Sequence, residues 1–127
     1  MSYVLDTTAV ITLLDDRPGA DQVQAVMEGE EDVFLPFITL MEVRYVLMRQ
    51  YPPERVAELI EIIRATAVKI EESTPEWGVR AALVKSRGGL SLADSWIAAL
   101  ALLRDATLLH HDPEYDQVKG LKALRLR

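Results

Sequence analysis

Short apolar segments that stop abruptly at a polar or turn residue most constrain what this chain can fold into. Residues 3–5 stop at Asp6, residues 33–35 stop at Pro36, and Thr107–His110 stops shortly before Asp112. Longer segments between them carry apolar residues at helical spacing. Short strands alternating with helices predict an α/β sandwich, with a small, mainly parallel sheet surrounded by helices. In such sheets ligand sites gather beyond the carboxyl ends of the strands.

The apolar periodicity and the positions of Gly and Pro also predict the individual elements. Strands are expected at residues 3–5, 33–35, 107–110 and 123–126, with residues 68–70 forming either a strand or a connector. Helices are expected at residues 7–14, 20–27, 39–49, 54–66, 75–86 and 91–104. No repeat or linker is visible, and 127 residues is the length of one domain, so residues 1–127 are expected to form a single unit.

Charge and cysteine content exclude several classes of protein. Fourteen basic against twenty acidic side chains give a net charge of −6, which argues against a cationic nucleic-acid coat or a polybasic membrane binder. An enzyme that reaches phosphates through metal ions remains compatible with this charge. The absence of cysteine excludes disulfides, zinc–thiolate sites and thiol nucleophiles, and fits a reducing compartment. Without a signal sequence or an apolar segment of bilayer length, we expect a cytoplasmic protein with no membrane partner.

Four acidic residues stand where the predicted fold could bring them together. Asp6 and Asp112 follow strands, whereas Glu42 and Asp94 lie in the first turns of predicted helices, on faces with apolar neighbours. Converging carboxylates repel one another and raise each other's pKa values. A hard divalent cation resolves that repulsion, and a set of oxygen ligands suits Mg²⁺ or Mn²⁺ better than zinc.

Each of these acids also has a purely structural explanation. Residues 39–42 and 91–94 fit capping boxes, in which a hydroxyl residue caps a helix and the acid three positions later reaches back. Asp6 could cap the helix that follows it, and Asp112 before a proline could form an Asx turn. His110 and His111 are expected to have structural or solvent roles, or to contact the Asp112 end of a site, because adjacent strand residues point to opposite sides.

Four ordered sequence blocks resemble one known family. They are YVLDTTA at residues 3–9, PFITLMEV at 36–43, LSLADSWIAA at 90–99 and LLHHDPEY at 108–115. Together they resemble PIN-domain ribonucleases, especially the VapC-type toxins of bacterial and archaeal toxin–antitoxin systems. The blocks span almost the whole chain, and the block at 90–99 is the most specific.

The resemblance implies a PIN-like α/β/α sandwich that hydrolyses RNA phosphodiester bonds with a carboxylate-held divalent cation. Asp6, Glu42, Asp94 and Asp112 carry over as the acidic catalytic site. Asp6, Asp94 and Asp112 would hold Mg²⁺ or Mn²⁺, directly or through water. Glu42 would be a further ligand or would position and deprotonate the attacking water. Thr8 matches a supporting hydroxyl residue.

Two positions depart from the family pattern. His110 stands where the family often has Thr or Ser two residues before the last acid, so a hydroxyl contact is not expected there. Ser95 stands where some members carry a further acid after the third, so no fifth ligand is assigned.

The resemblance also implies an RNA substrate, a cognate antitoxin protein, and a homodimer or a higher toxin–antitoxin assembly. The cations that could form a basic rim for RNA, unless they are merely scattered solvated charges, are Arg44, Arg49, Arg80, Lys85, Arg87, Lys119, Lys122 and Arg125. Two alternatives remain open: a catalytically silent PIN-fold binding module and a receiver-type signalling domain. The receiver alternative lacks the adjacent acid pair expected after the first strand.

Overall fold

Five parallel strands form the centre of the fold in a computed structural model that describes all residues, 1–127. The strands are β1 (Ser2–Leu5), β2 (Asp32–Pro36), β3 (Lys69–Glu71), β4 (Thr107–His110) and β5 (Lys122–Arg125), in the spatial order β3-β2-β1-β4-β5. Every neighbouring pair is parallel. The predicted mainly parallel sheet is confirmed, and residues 68–70 belong largely to an edge strand rather than to a connector.

Six α-helices and one 3₁₀ helix surround the sheet. They are α1 (Thr7–Leu14), α2 (Ala20–Glu28), α3 (Phe37–Leu47), α4 (Pro53–Arg64), α5 (Pro75–Ser86), α6 (Leu92–Arg104) and the 3₁₀ helix η1 (Pro113–Gln117). The longest helix has 13 residues, and none is long and apolar enough to cross a membrane.

Side-chain alternation along the strands divides the core into two layers. Leu5, Leu35 and Leu109 point to one side and pack with buried residues of α1 to α4. Val4 and Leu108 point to the other side and pack with α5 and α6. Because successive strand residues face opposite sides of a sheet, fully apolar strands require helices on both faces. This is the predicted α/β/α sandwich.

Helix α3 begins two residues earlier than the sequence predicts. Its cap is Pro36, with no side-chain capping bond, so the capping box predicted for residues 39–42 is wrong. The Thr39 hydroxyl is buried without a hydrogen-bond partner. Phe37 makes edge-on contacts with Trp77 and Trp96, both at 5.4 Å between ring centroids. We attribute the early start to this aromatic packing, which fixes Phe37 at the beginning of the helix.

The order of the strands creates a crevice beside β1. The chain runs from β1 outward to β2 and β3, and then returns to place β4 on the other side of β1. Leu5 pairs with Leu109 in register, so the residues that follow both strands emerge side by side. Open α/β sheets place ligands at such a switch point, beyond the carboxyl ends of the strands.

Candidate metal centre

Asp6 lies at the start of this crevice, between β1 and α1. Its amide donates to the Leu109 carbonyl at 3.2 Å, which joins the ends of β1 and β4. Its Oδ1 caps α1 by accepting the Ala9 amide at 2.8 Å, and it also accepts the Thr8 hydroxyl at 2.7 Å. The predicted capping role is therefore confirmed, and it leaves Oδ2 without a hydrogen bond from the protein.

Burial makes Asp6 an unusual carboxyl group. It is 2% exposed, and this desolvation raises its pKa from 3.8 to about 7. The hydrogen bonds from Thr8 and Ala9 act in the opposite direction, whereas the charges of Asp94 and Asp112 raise the pKa further. Three of the four predicted acids therefore act on one another electrostatically.

Thr8 links the two sides of the crevice. Its hydroxyl donates to Asp6 and accepts the amide of His111 at 3.1 Å, so one side chain ties the start of α1 to the end of β4. This contact is consistent with the supporting role that the family resemblance implies for Thr8.

Asp94 reaches the crevice from the first turn of α6. Ser91 caps this helix by accepting the Asp94 amide at 3.1 Å, as the spacing predicts. The Tyr115 hydroxyl donates to Asp94 Oδ1 at 3.0 Å. Burial raises the pKa of Asp94, the hydrogen bonds of Tyr115 and Ser91 lower it, and Asp112 raises it.

Asp112 lies at the other side of the crevice, directly before η1. Its Oδ1 accepts the Glu114 amide at 2.9 Å, which is the predicted Asx turn. Its own amide donates to His110 Nδ1 at 3.0 Å. His110 is 1% exposed, and its burial lowers the pKa of the imidazole. An accepting Nδ1 places the proton on Nε2, so a neutral imidazole supports this corner. Of the roles expected for His110, the structure shows the contact with the Asp112 end of the site.

Glu114 joins two of these acids, although the sequence reasoning gave it no role. One carboxylate oxygen from each of Asp94, Asp112 and Glu114 lies within 4.8 Å of the others. Asp6 is not a member of this closest group. The sequence does contain a signal for Glu114, since it is an acid that directly follows Asp112-Pro113. Proline favours the first position of a helix, which places the next residue beside the cap, here Asp112.

Tyr115 is the second residue that the sequence reasoning missed. Its side chain is 1% exposed, and its ring packs against His110 with centroids 4.9 Å apart. Burial and the charges of Asp6 and Asp94 raise its pKa well above the usual range. The phenol therefore stays neutral and donates its proton in the bond to Asp94.

Glu42 lies outside the close group of acids. The Thr7 hydroxyl donates to its Oε1 at 2.6 Å, and the Tyr45 hydroxyl lies 3.4 Å from its Oε2. Thr7 directly follows Asp6, so this bond holds Glu42 at the same end of the sheet. Glu42 is half-buried, but Tyr45 beside it is exposed, and the expected packed apolar surroundings are therefore only partly present.

The carboxylates form a donor set that could hold a hard divalent cation. Every candidate ligand atom is an oxygen, and three acids from α6 and η1 stand beside a buried fourth. No sulfur is available, and the one buried imidazole already accepts a backbone amide. Such a donor set is typical of Mg²⁺ or Mn²⁺ sites that also retain water ligands.

Comparisons with known proteins agree with this architecture. VapBC2 from Rickettsia felis, bound to a promoter DNA fragment, contains a chain with a TM-score of 0.84 and 15% identity over 100% of both chains. VapBC-1 from nontypeable Haemophilus influenzae matches with a TM-score of 0.76 and 24% identity over 98% of both chains. VapC20 from Mycobacterium tuberculosis, described as a sarcin-ricin loop cleaving toxin, matches with a TM-score of 0.68 and 16% identity, over 84% of this chain and 86% of that one.

The sequence itself gives the family. Comparison with curated protein sequences gives no match. The family model of the PIN domain, however, matches residues 3–121, which include all four predicted acids as well as Glu114 and Tyr115. With a parallel five-stranded sheet and acids at the switch point, the chain belongs to the PIN domain family.

Proposed function

We propose that this protein is a divalent-metal-dependent endoribonuclease that acts as the toxin of a toxin–antitoxin pair. The observation that carries the proposal is the close group of Asp94, Asp112 and Glu114 beside the buried Asp6, at the switch point of a PIN fold. None of these four acids forms a salt bridge, so no cation of the protein neutralises their charge.

Asp94, Asp112 and Glu114 are the residues that would hold Mg²⁺ or Mn²⁺, with Asp6 completing the site. Glu114 is thus added to the three ligands that the sequence predicts. A bound ion would supply positive charge, polarise a phosphodiester and acidify a coordinated water. Tyr115 fixes one oxygen of Asp94 and leaves the other free, and Thr8 does the same for Asp6.

Glu42 is the residue that we assign to the attacking water. It lies outside the ligand group, and the Thr7 hydroxyl holds one of its oxygens. A carboxylate in that position orients a water and accepts its proton while the water oxygen bonds to phosphorus. The bond from phosphorus to the leaving oxygen breaks, and that oxygen takes up a proton.

The structural matches support the proposed partners. Two of the matching chains come from VapBC proteins, and a third is described as a cleaving toxin. An antitoxin partner and an RNA substrate are what the family resemblance implies. A cytoplasmic location is proposed on the ground that the sequence has no cysteine. A homodimer is part of the same proposal, and the exposed apolar side chains of Met41 and Tyr45 on α3 support it.

A cleavage assay on a mixed RNA pool tests the activity. The wild type is incubated with Mg²⁺ or Mn²⁺ and with EDTA, beside Asp94→Asn and the control variant Asp21→Asn, all purified identically. Asp21 is an exposed acid in the first turn of α2, and it forms no hydrogen bond with any of the four predicted acids. We expect metal-dependent cleavage by the wild type and Asp21→Asn, and a loss of at least about 100-fold in Asp94→Asn.

Three results would contradict the proposal. Equal cleavage by all three proteins indicates a contaminating nuclease. A protein that binds metal but cleaves no RNA, even when freed from any co-purifying partner, is the silent binding module instead. Labelling by a small phosphodonor would point to the receiver alternative.

A further inference from the structure

A groove between the end of α5, α6 and the segment after η1 is lined by cations and by no acid. Its charged lining residues are Arg80, Arg87 and Lys119, and its apolar residues include Leu83 and Leu90. The protein has twenty acidic and fourteen basic side chains, yet this concave surface carries three cations and no carboxylate. We refer to it as the basic groove.

The cations of the basic groove are available to a ligand, whereas many others are not. Six of the fourteen Lys and Arg side chains form salt bridges with carboxylates of the protein: Arg17, Arg55, Arg64, Lys69, Arg104 and Lys122. Lys85 donates to the Leu90 carbonyl at 2.9 Å and so supports the turn at the groove wall. Arg80, Arg87 and Lys119 are exposed and form no salt bridge.

The basic groove adjoins both elements that carry the metal centre. Leu90 in its wall directly precedes Ser91, the cap of the helix that carries Asp94. Gln117 in its opposite wall is the last residue of η1, which carries Glu114. These walls touch at Gly89, where the φ angle is +91° and any Cβ would collide with the Gln117 side chain. This contact joins the segment that leads into α6 to the end of η1, the two elements that carry Asp94 and Glu114.

We propose that the basic groove binds the phosphodiester backbone of the RNA on one side of the scissile bond. The inference rests on the proposed ribonuclease function and specifies how an acidic protein holds its substrate. Guanidinium groups bind phosphate oxygens with two parallel hydrogen bonds, and a lysine adds a third positive charge. No carboxylate in the lining opposes an anion. Contacts of this kind position the strand without reading its bases, so the choice of sequence comes from elsewhere.

The test measures RNA binding in a protein that cannot cut. In an Asp94→Asn background, the triple variant Arg80→Ala/Arg87→Ala/Lys119→Ala is compared with Arg55→Ala/Arg64→Ala/Lys69→Ala. Both triple variants remove three exposed cations and the same net charge, but the second set is salt-bridged and lies outside the basic groove. Fluorescence anisotropy follows binding of two labelled single-stranded RNAs of unrelated sequence, each about 20 nucleotides long, at several salt concentrations.

We expect the groove variant to lose affinity for both RNAs to the same extent, by about tenfold or more at low salt. The slope of log affinity against log salt falls by about 2, because roughly 0.7 counterions are released per phosphate contact on a single strand. We expect the control variant to change affinity by less than about twofold, since its three cations already pair with carboxylates and do not line the basic groove.

The matched cleavage measurement separates this proposal from the proposed function. With Asp94 intact, we expect the groove variant to cleave RNA with a raised KM. We expect it to hydrolyse bis(p-nitrophenyl) phosphate as the wild type does, because this substrate is too small to reach both the acids and the basic groove. A wild type that cleaves RNA beside a groove variant with unchanged KM and affinity overturns the groove alone. A wild type that neither binds nor cleaves any RNA overturns the function. Unchanged RNA binding with lost binding of a polyglutamate peptide would make the basic groove a protein site and overturn the proposal.

Discussion

Asp6 combines two requirements that conflict in the metal-free protein. Its oxygen caps α1 inside the fold, yet burial raises its pKa from 3.8 to about 7. The folded state therefore holds a proton on Asp6 between about pH 4 and pH 7, whereas the unfolded chain has released it. Stability rises with pH only where the unfolded state binds more protons, so this group makes the free energy of unfolding fall across that window.

The first prediction concerns the Asp6→Asn variant. The amide keeps an oxygen for the Ala9 amide but cannot ionise, so we expect it to stabilise the metal-free protein at pH 8, by on the order of 2–4 kcal/mol. At pH 4 the gain disappears. Urea unfolding in EDTA at both pH values measures it, with Asp21→Asn as the exposed control. A gain of the same size at pH 4 and pH 8 would show that ionisation of Asp6 is not its cause.

The second prediction concerns the hydroxyl of Tyr115. The Tyr115→Phe variant keeps the ring against His110 but removes the donor to Asp94. Because that bond lowers the pKa of Asp94, its loss moves the pH at which Mn²⁺ binding is half-maximal upward. We also expect Mn²⁺ affinity at neutral pH to fall by about three- to tenfold, as measured by isothermal titration calorimetry.

Tyr51→Phe is the matched control for this measurement. It removes a phenol that donates to Asp15 at 2.6 Å, at the end of α1 away from the acids. Its Mn²⁺ titration is expected to follow that of the wild type at every pH. If Tyr115→Phe also follows the wild type, the hydroxyl of Tyr115 has no part in positioning Asp94.

At the scale of elements, local sequence signals predicted most of the helices and strands. Helix α1 matches its predicted bounds because Asp6 caps it, and α5 matches because Thr74 and Pro75 begin it. Helix α3 began early because packing of Phe37 against two tryptophans is a long-range effect that no local pattern contains. The 3₁₀ helix η1 was missed because five residues are too few to display a period.

The candidate site also contains residues that chain order predicts and residues whose placement depends on the folded structure. Asp6, Asp94 and Asp112 could be predicted to meet, because strand ends and a helix start place them by rules that depend only on chain order. Glu114 and Tyr115 could not, because their directions depend on how η1 turns over the crevice. The structure thus extends the site with two residues from one short element, and both come from the last of the four blocks, at residues 108–115.

At the scale of the whole molecule, the acids leave the protein with a net charge of −6 and a cluster that no internal cation neutralises. A divalent cation that binds only the folded state stabilises it by about 2.7 kcal/mol when its concentration is one hundred times its Kd. The third prediction is therefore that saturating Mn²⁺ raises the Tm of a domain of this size by on the order of 10 °C. The rise is larger at pH 8 than at pH 6, because Asp6 must lose its proton before it can serve the ion.

The control for this effect must separate one site from twenty scattered carboxylates. The double variant Asp94→Asn/Asp112→Asn removes two members of the cluster and leaves the other acids in place. Differential scanning calorimetry compares its shift in Mn²⁺ with the shift in NaCl of equal ionic strength. An equal rise in the wild type and the double variant would mean that cations act on the acidic surface as a whole. A rise confined to the wild type means that folding and metal binding are coupled at the end of β1 and β4, where the acids cost stability until an ion neutralises them.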